Sequence, residues 1–196
     1  MRVGVLSSGG KDSTLAALFL EPFCEVTMLC GTFGLTDDYE YAMAAADAVG
    51  FPARKLALDP EVAEQATAKI LSDGFPRNGI QQVHEHALET AAQLDYEAIA
   101  DGTRRGDRTP RVERPLAQRI EDKYGCSHIA PLAGMGRTAV DAFVSANLQV
   151  ETGPSAQLEK GDYESELRAL IAREHSPATV DELFPAHIQS CVVSRK

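Results

Sequence analysis

Short apolar runs alternate with helix-length segments along the first three quarters of the chain, and this alternation leaves few folds open. Arg2–Leu6 is a β-branched, apolar run that reads as a buried strand. A helix is expected over Lys11–Leu20, with Leu15, Leu18 and Phe19 on one face and Pro22 ending it. Further strands are expected at 24–32, 54–58 and 96–100, and near 128–131. Between them lie an alanine-rich helix capped by Asp37 or Asp38 and stopped at Gly50, helices near 60–72 and 80–94, and another near 136–146. Strands separated by helices of ten or more residues predict a parallel sheet covered on both faces, an α/β doubly wound fold of the Rossmann-like kind. Such sheets bind ligands at the carboxyl ends of their strands. The organisation expected is a domain over 1–150 and a small C-terminal extension over 151–196, packed on it. The extension should contain turns at Gly153-Pro154-Ser155 and Lys160-Gly161-Asp162, an amphipathic helix over 164–173 that buries Leu167, Leu170 and Ile171, and a last strand over 187–194.

The first strand passes directly into Ser7-Ser8-Gly9-Gly10 and then into the helix that starts at Lys11. Paired glycines allow positive φ and let a ligand approach the backbone without meeting a Cβ. Amides at a helix start lack intrahelical partners, and the helix dipole there favours an anion. Lys11 adds a point charge, and Ser8, Ser13 and Thr14 add hydroxyl donors. Asp12 would repel phosphate by itself, so its presence points to Mg²⁺ or to a part in positioning Lys11 and the turn. The Walker pattern is excluded, because Lys11 is followed by Asp12 and Val5 stands where the leading glycine belongs. A dinucleotide G-x-G-x-x-G fingerprint is absent as well.

Ser8-Gly9-Gly10-Lys11-Asp12-Ser13-Thr14 resembles the S-G-G-x-D-S-[ST] signature of the PP-loop ATPases, also called N-type ATP pyrophosphatases or adenine nucleotide alpha hydrolases. A second segment, Asp101-Gly102-Thr103-Arg104-Arg105-Gly106-Asp107, resembles that family's second nucleotide turn, G-T-x-x-x-[DE]. The resemblance covers roughly residues 1–130. It implies that ATP is cleaved between its α- and β-phosphates, adenylating a substrate that a nitrogen or sulfur nucleophile then attacks. It also implies that Gly102 lets the chain approach ATP, that Thr103 and Arg104 reach phosphate, and that Asp107 shares Mg²⁺ with Asp12. By position alone, it places adenine at the end of the second strand, at Thr32 and Phe33. Lys11, Asp12 and Arg104 are then the catalytic candidates.

A net charge of −10 argues against general nucleic-acid binding, since polyanions are bound by neutralising phosphates. Against that trend, Arg104, Arg105, Arg108, Arg111 and Arg114 crowd one short stretch, either as a solvated loop or as a phosphate site. No window is apolar enough to span a bilayer, and the N-terminus has no signal-peptide pattern, so a cytoplasmic protein is expected. The four cysteines (Cys24, Cys30, Cys126, Cys191) form no C-x-x-C pair, which argues against a zinc ribbon or dithiol site; a chemical role stays open for Cys126 or Cys191. His84-Glu85-His86 lacks zinc-protease spacing, and its histidines are expected at the surface.

The function expected is adenylation of an acceptor, a small molecule or a modified RNA or protein, for amidation or thiolation. An ammonia- or sulfur-donating partner protein is compatible with it. Two alternatives stand beside it: a non-catalytic ATP-binding regulatory module, and an adenylyl-sulfate reductase-like enzyme.

Overall fold

Strand β1 (Arg2–Leu6) is apolar on both faces, with Val3 and Val5 buried on one side and Leu6 on the other, so it sits inside a sheet covered twice. The computed structural model describes residues 1–155 and 158–196. From β1 the chain runs through α1 (Lys11–Leu20), β2 (Glu25–Thr32), α2 (Tyr39–Ala48), β3 (Ala53–Ala57), α3 (Pro60–Asp73) and α4 (Arg77–Ala92). It continues through β4 (Ala98–Ala100), α5 (Arg114–Tyr124), β5 (Ser127–Ile129) and α6 (Arg137–Asn147). The five strands are parallel in the order β3-β2-β1-β4-β5, the doubly wound α/β arrangement that the alternation predicts.

The period of two along each strand divides the core between the two faces. Val3, Val5, Met28, Ala98 and Ala100 pack with Leu15, Ala45, Val140 and Val144 of α1, α2 and α6. Leu6, Leu29 and Ile99 pack with Ile70, Leu88 and Ile120 of α3, α4 and α5. Each fully buried side chain of this size stabilises the fold by about 1.5–3 kcal/mol relative to its exposed state. The chain moves from β1 to β2 and β3 on one side, then crosses to β4 and β5 on the other. The carboxyl ends of β1 and β4 therefore flank a crevice at the point where the strand order reverses, the position at which such sheets bind ligands.

The remaining chain forms β6 (Leu148–Pro154), α7 (Tyr163–Glu174), α8 (Pro177–Leu183) and β7 (Ile188–Arg195). Position 150 lies inside β6, which pairs antiparallel with β7 from Leu148 opposite Arg195 to Pro154 opposite Ile188. Leu167, Leu170 and Ile171 of α7 are buried against the α3–α4 face, as the sequence pattern predicts.

Several local expectations are corrected. Gly153 and Pro154 belong to β6 rather than to a turn, because Gln189 and Ile188 pair with them. Asp38 occupies the cap position of α2 with helical backbone angles and makes no side-chain capping bond. Strand β4 begins at Ala98, after Tyr96 has turned its amide to the Leu94 carbonyl (2.8 Å). Helix α5 has no counterpart among the expected elements: it buries only Leu116 and Ile120, four apart in an otherwise polar segment. Helix α8 is equally hidden in the sequence, being short and defined by its start, where the Ser176 hydroxyl accepts from the Thr179 amide ahead of Pro177. Among the described residues no helix is long and apolar enough to cross a membrane.

Candidate functional site

Beyond β1 two carbonyls of the turn are taken up by the C-terminal segment. Gly9 takes φ +77°, a conformation that side-chain-bearing residues rarely adopt, and its carbonyl accepts from the Val192 amide of β7 at 2.9 Å. The Ser8 carbonyl accepts from Gly161 at 3.2 Å. The C-terminal segment thus holds the turn directly. The hydroxyls of Ser13 and Thr14 both donate to the Gly10 carbonyl, at 3.1 and 3.0 Å. Gly10 caps α1 in extended conformation, with no side chain bonded to the helix start. Ser8, Gly10, Lys11, Asp12 and Ser13 line a cleft of about 960 Å³, while Gly9 and Thr14 sit behind its wall.

The second turn leaves β4 directly beside the first, lines the same cleft and supplies Asp101, Gly102, Thr103, Arg104 and Asp107. Gly102 lies against the start of α1, where a Cβ would stand 2.5 Å from the Ser13 nitrogen. The Arg104 amide and Nε both bond Asp107 (2.9 and 3.0 Å), and Nε lies 3.6 Å from Asp12 Oδ2. Its Nη1 is buried and has no hydrogen-bond partner among the described residues. Lys11 Nζ bonds Asp12 and Asp141 of α6, each at 2.9 Å, and this bond holds the Asp141 carboxyl below its ordinary range. Asp141 and Arg137, four apart on α6, also line the cleft, and no motif in the sequence marks either of them. The remaining arginines of the cluster divide by fate. Arg111 is tied through its backbone to Gln81 and through Nε to the Asp107 carbonyl, whereas Arg105, Arg108 and Arg114 are exposed.

A phosphate group fits this arrangement: an uncapped helix start, an orphaned guanidinium nitrogen, and a glycine contact that excludes any side chain. A Mg²⁺ ion held jointly by Asp12 and Asp107 fits less well, because the Arg104 guanidinium pairs with both. Asp12 together with phosphate oxygens would satisfy a magnesium site, which keeps most of its water. Among the described residues no group of three or more histidine, cysteine or acidic side chains is disposed to hold a metal.

Thr32 and Phe33 do not reach the cleft. The carboxylate of Glu166, a buried residue of α7, accepts from Thr32 Oγ1 (2.9 Å), the Phe33 amide (2.9 Å) and the Leu35 amide (3.0 Å). The donors expected to face adenine are therefore already occupied. The carboxylate comes from the C-terminal segment, so no local pattern around Thr32 announces it.

His84 overturns the expectation of surface histidines. It is buried, lines the cleft from α4, and faces Asp101 at the end of β4. Asp101 Oδ2 lies 2.8 Å from His128 Nε2 and 3.5 Å from His84 Nε2, while Oδ1 accepts from the Thr103 amide at 2.7 Å. The His84 contact has ion-pair distance without hydrogen-bond alignment. Burial pushes the Asp101 carboxyl up, but the histidines outweigh it and hold the group well below the usual carboxylate range. The cysteines carry no activated thiol at the positions left open: burial pushes Cys126 and Cys191 up, and Cys30 to about 12.

Residues 1–194 match the model of the family of unknown function DUF7411. The chain belongs to this family. An uncharacterized protein of Methanocaldococcus jannaschii is 34% identical over 198 residues, covering 100% of this chain and 97% of the relative. A solved structure, described as a predicted subunit of tRNA methyltransferase from the same organism, is similar over 100% of this chain and 98% of that one, with a TM-score of 0.89 and 34% identity. The DUF7411 match takes in both glycine turns and also the C-terminal hairpin that grips the first of them.

Proposed function

We propose that this protein is a PP-loop ATP pyrophosphatase that binds ATP across its two glycine turns and adenylates an acceptor with release of pyrophosphate. The observation that carries the reading is the convergence of the Ser8–Thr14 signature and the Gly102–Asp107 turn on one cleft at the β1–β4 crevice, with the Arg104 Nη1 unpartnered between them. The α1 amides, Lys11 and Arg104 would hold the phosphates, and Mg²⁺ bound by Asp12 would neutralise charge on the leaving group. Lys11 must loosen its bond to Asp141 to serve the ligand, so the carboxylate acts as an internal counter-ion that an incoming phosphate displaces. The Phe33 amide is committed to Glu166, so adenine has to sit elsewhere in the cleft.

The acceptor we favour is RNA or an RNA-bound partner. The solved neighbour is described as a predicted subunit of tRNA methyltransferase, and Arg105, Arg108 and Arg114 are exposed in and after the second turn of an otherwise acidic chain. ATP labelled at the α-phosphate, incubated with Mg²⁺ and unfractionated tRNA, tests the reading. AMP and pyrophosphate are the products expected. ADP and orthophosphate as the main products would overturn the chemistry. ATP binding without turnover would favour a non-catalytic nucleotide-binding subunit.

A further inference from the structure

We propose that His84 is the proton acceptor of this cleft, oriented by Asp101, with His128 as the second support of that carboxylate. The inference rests on the adenylating reading for its chemical task, but its geometry stands separately. His84 Nε2 faces the Asp101 carboxylate at 3.5 Å, short of a hydrogen bond, and the charge of that oxygen favours the ring proton on Nε2, leaving Nδ1 basic. No bond to Nδ1 is present among the described residues, and His84 is the histidine of the pair that lines the cleft. His128 bonds the same oxygen from β5 and lies outside the cleft lining. The two imidazoles therefore differ in access while sharing one orienting group.

A buried carboxylate with two histidines is more than an ordinary core needs. Asp101 also fixes the second turn through the Thr103 amide, so the residue that orients His84 also positions Gly102 and Arg104. In the step proposed, an N–H, S–H or O–H of the incoming nucleophile gives its proton to His84 Nδ1 as its bond to the adenylated carbon forms. The carbon–oxygen bond to AMP breaks, and the electron pair leaves on the phosphate oxygen. The imidazolium, paired with Asp101, then returns its proton to water. The ionisable groups facing His84 are Asp101 from β4, His128 from β5 and Tyr163 from α7, whose ring centre is 6.3 Å away. Burial is the main cause, ahead of the nearby Asp101 charge, that pushes the Tyr163 hydroxyl up, so it stays neutral through the range in which histidines titrate.

Long-range proton–nitrogen spectra of the ¹⁵N-labelled protein resolve its five histidines and test the geometry without any substrate. The expected result is a His84 ring protonated at Nε2 with an unprotonated Nδ1. A proton fixed on Nδ1 would overturn the proposal. His84→Gln retains a donor toward Asp101 and serves the kinetic arm. With pyrophosphate release as the assay of the first half-reaction, this variant should still release pyrophosphate, while transfer to the nucleophile falls at least about a hundredfold and loses its acid-side dependence on pH. Unimpaired transfer would sink the assignment. Adding ATP and Mg²⁺ to the same spectra should shift the amides of Ser8 to Thr14. Failure there would count against the nucleotide reading alone, since the protonation of the His84 nitrogens is measured without nucleotide.

Discussion

Gly102 lies against the amide of Ser13, so at this point the turn that follows β4 and the helix that follows β1 meet backbone to backbone. A side chain on Gly102 would have to stand 2.5 Å from that nitrogen and 2.7 Å from the carbonyl carbon of Asp12. Neither atom belongs to a flexible side chain, so the two turns would be forced apart.

Gly102→Ala is therefore expected to destabilise the protein by about 1–3 kcal/mol, the usual cost of overpacking a tight contact. It should also remove the rise in melting temperature that ATP and Mg²⁺ are expected to produce on the proposed reading. Thermal denaturation with and without nucleotide reads both effects. A variant with a normal nucleotide shift would separate the contact from the site.

Arg104→Ala should weaken binding of a non-hydrolysable ATP analogue by roughly ten- to a hundredfold, because a charge-assisted contact to phosphate contributes about 1.5–3 kcal/mol. Arg111→Ala should leave that affinity nearly unchanged, since its guanidinium is turned to the Asp107 carbonyl. Isothermal titration of the two variants checks the contrast. Equal, small effects would return the arginine cluster to a solvated loop.

Removal of the Glu166 carboxylate tests the closed β2 terminus. Glu166→Ala leaves the Phe33 and Leu35 amides and the Thr32 hydroxyl without their acceptor, at a cost of about 1–3 kcal/mol for each buried donor left unpaired. Urea denaturation should show a loss of several kcal/mol. A loss below about 1 kcal/mol would mean that water satisfies these groups and that the loop is open to a ligand.

The Asp101 carboxyl gives a pH dependence of definite sign. Its folded pKa is depressed, so it contributes stability that is fully present above the unfolded value, about 3.9, and that fades as pH falls below it toward the folded value. The stability gap between the wild type and Asp101→Asn should accordingly narrow as the pH falls below about 4. Denaturation curves across that range measure it. A gap that widens in acid would contradict the assignment.

The sheet and its crevice are legible because periodic apolar runs and a Ser-Gly-Gly turn are local signals. The Lys11–Leu20 helix begins where the turn releases it, and both turns meet at the strand reversal that the alternation of elements implies. What stays hidden depends on residues far apart in the chain. Glu166 reaches Thr32 across 134 positions, and Asp141 reaches Lys11 across 130, distances over which a sequence pattern carries no signal. His84 misleads for a related reason. Its i, i+2 spacing to His86 describes the helix, whereas its role depends on Asp101 and His128, which the sheet brings to it.

The grip of β7 on the first turn has a consequence for the order in which the molecule can assemble. The Gly9 carbonyl is held by the Val192 amide, so the turn takes its final shape only once β7 has docked. The sheet can grow from neighbouring strand–helix units, whereas this contact joins segments far apart in the chain and carries the larger loop-closure cost. A change that frees β7 therefore reaches the turn even where the sheet survives.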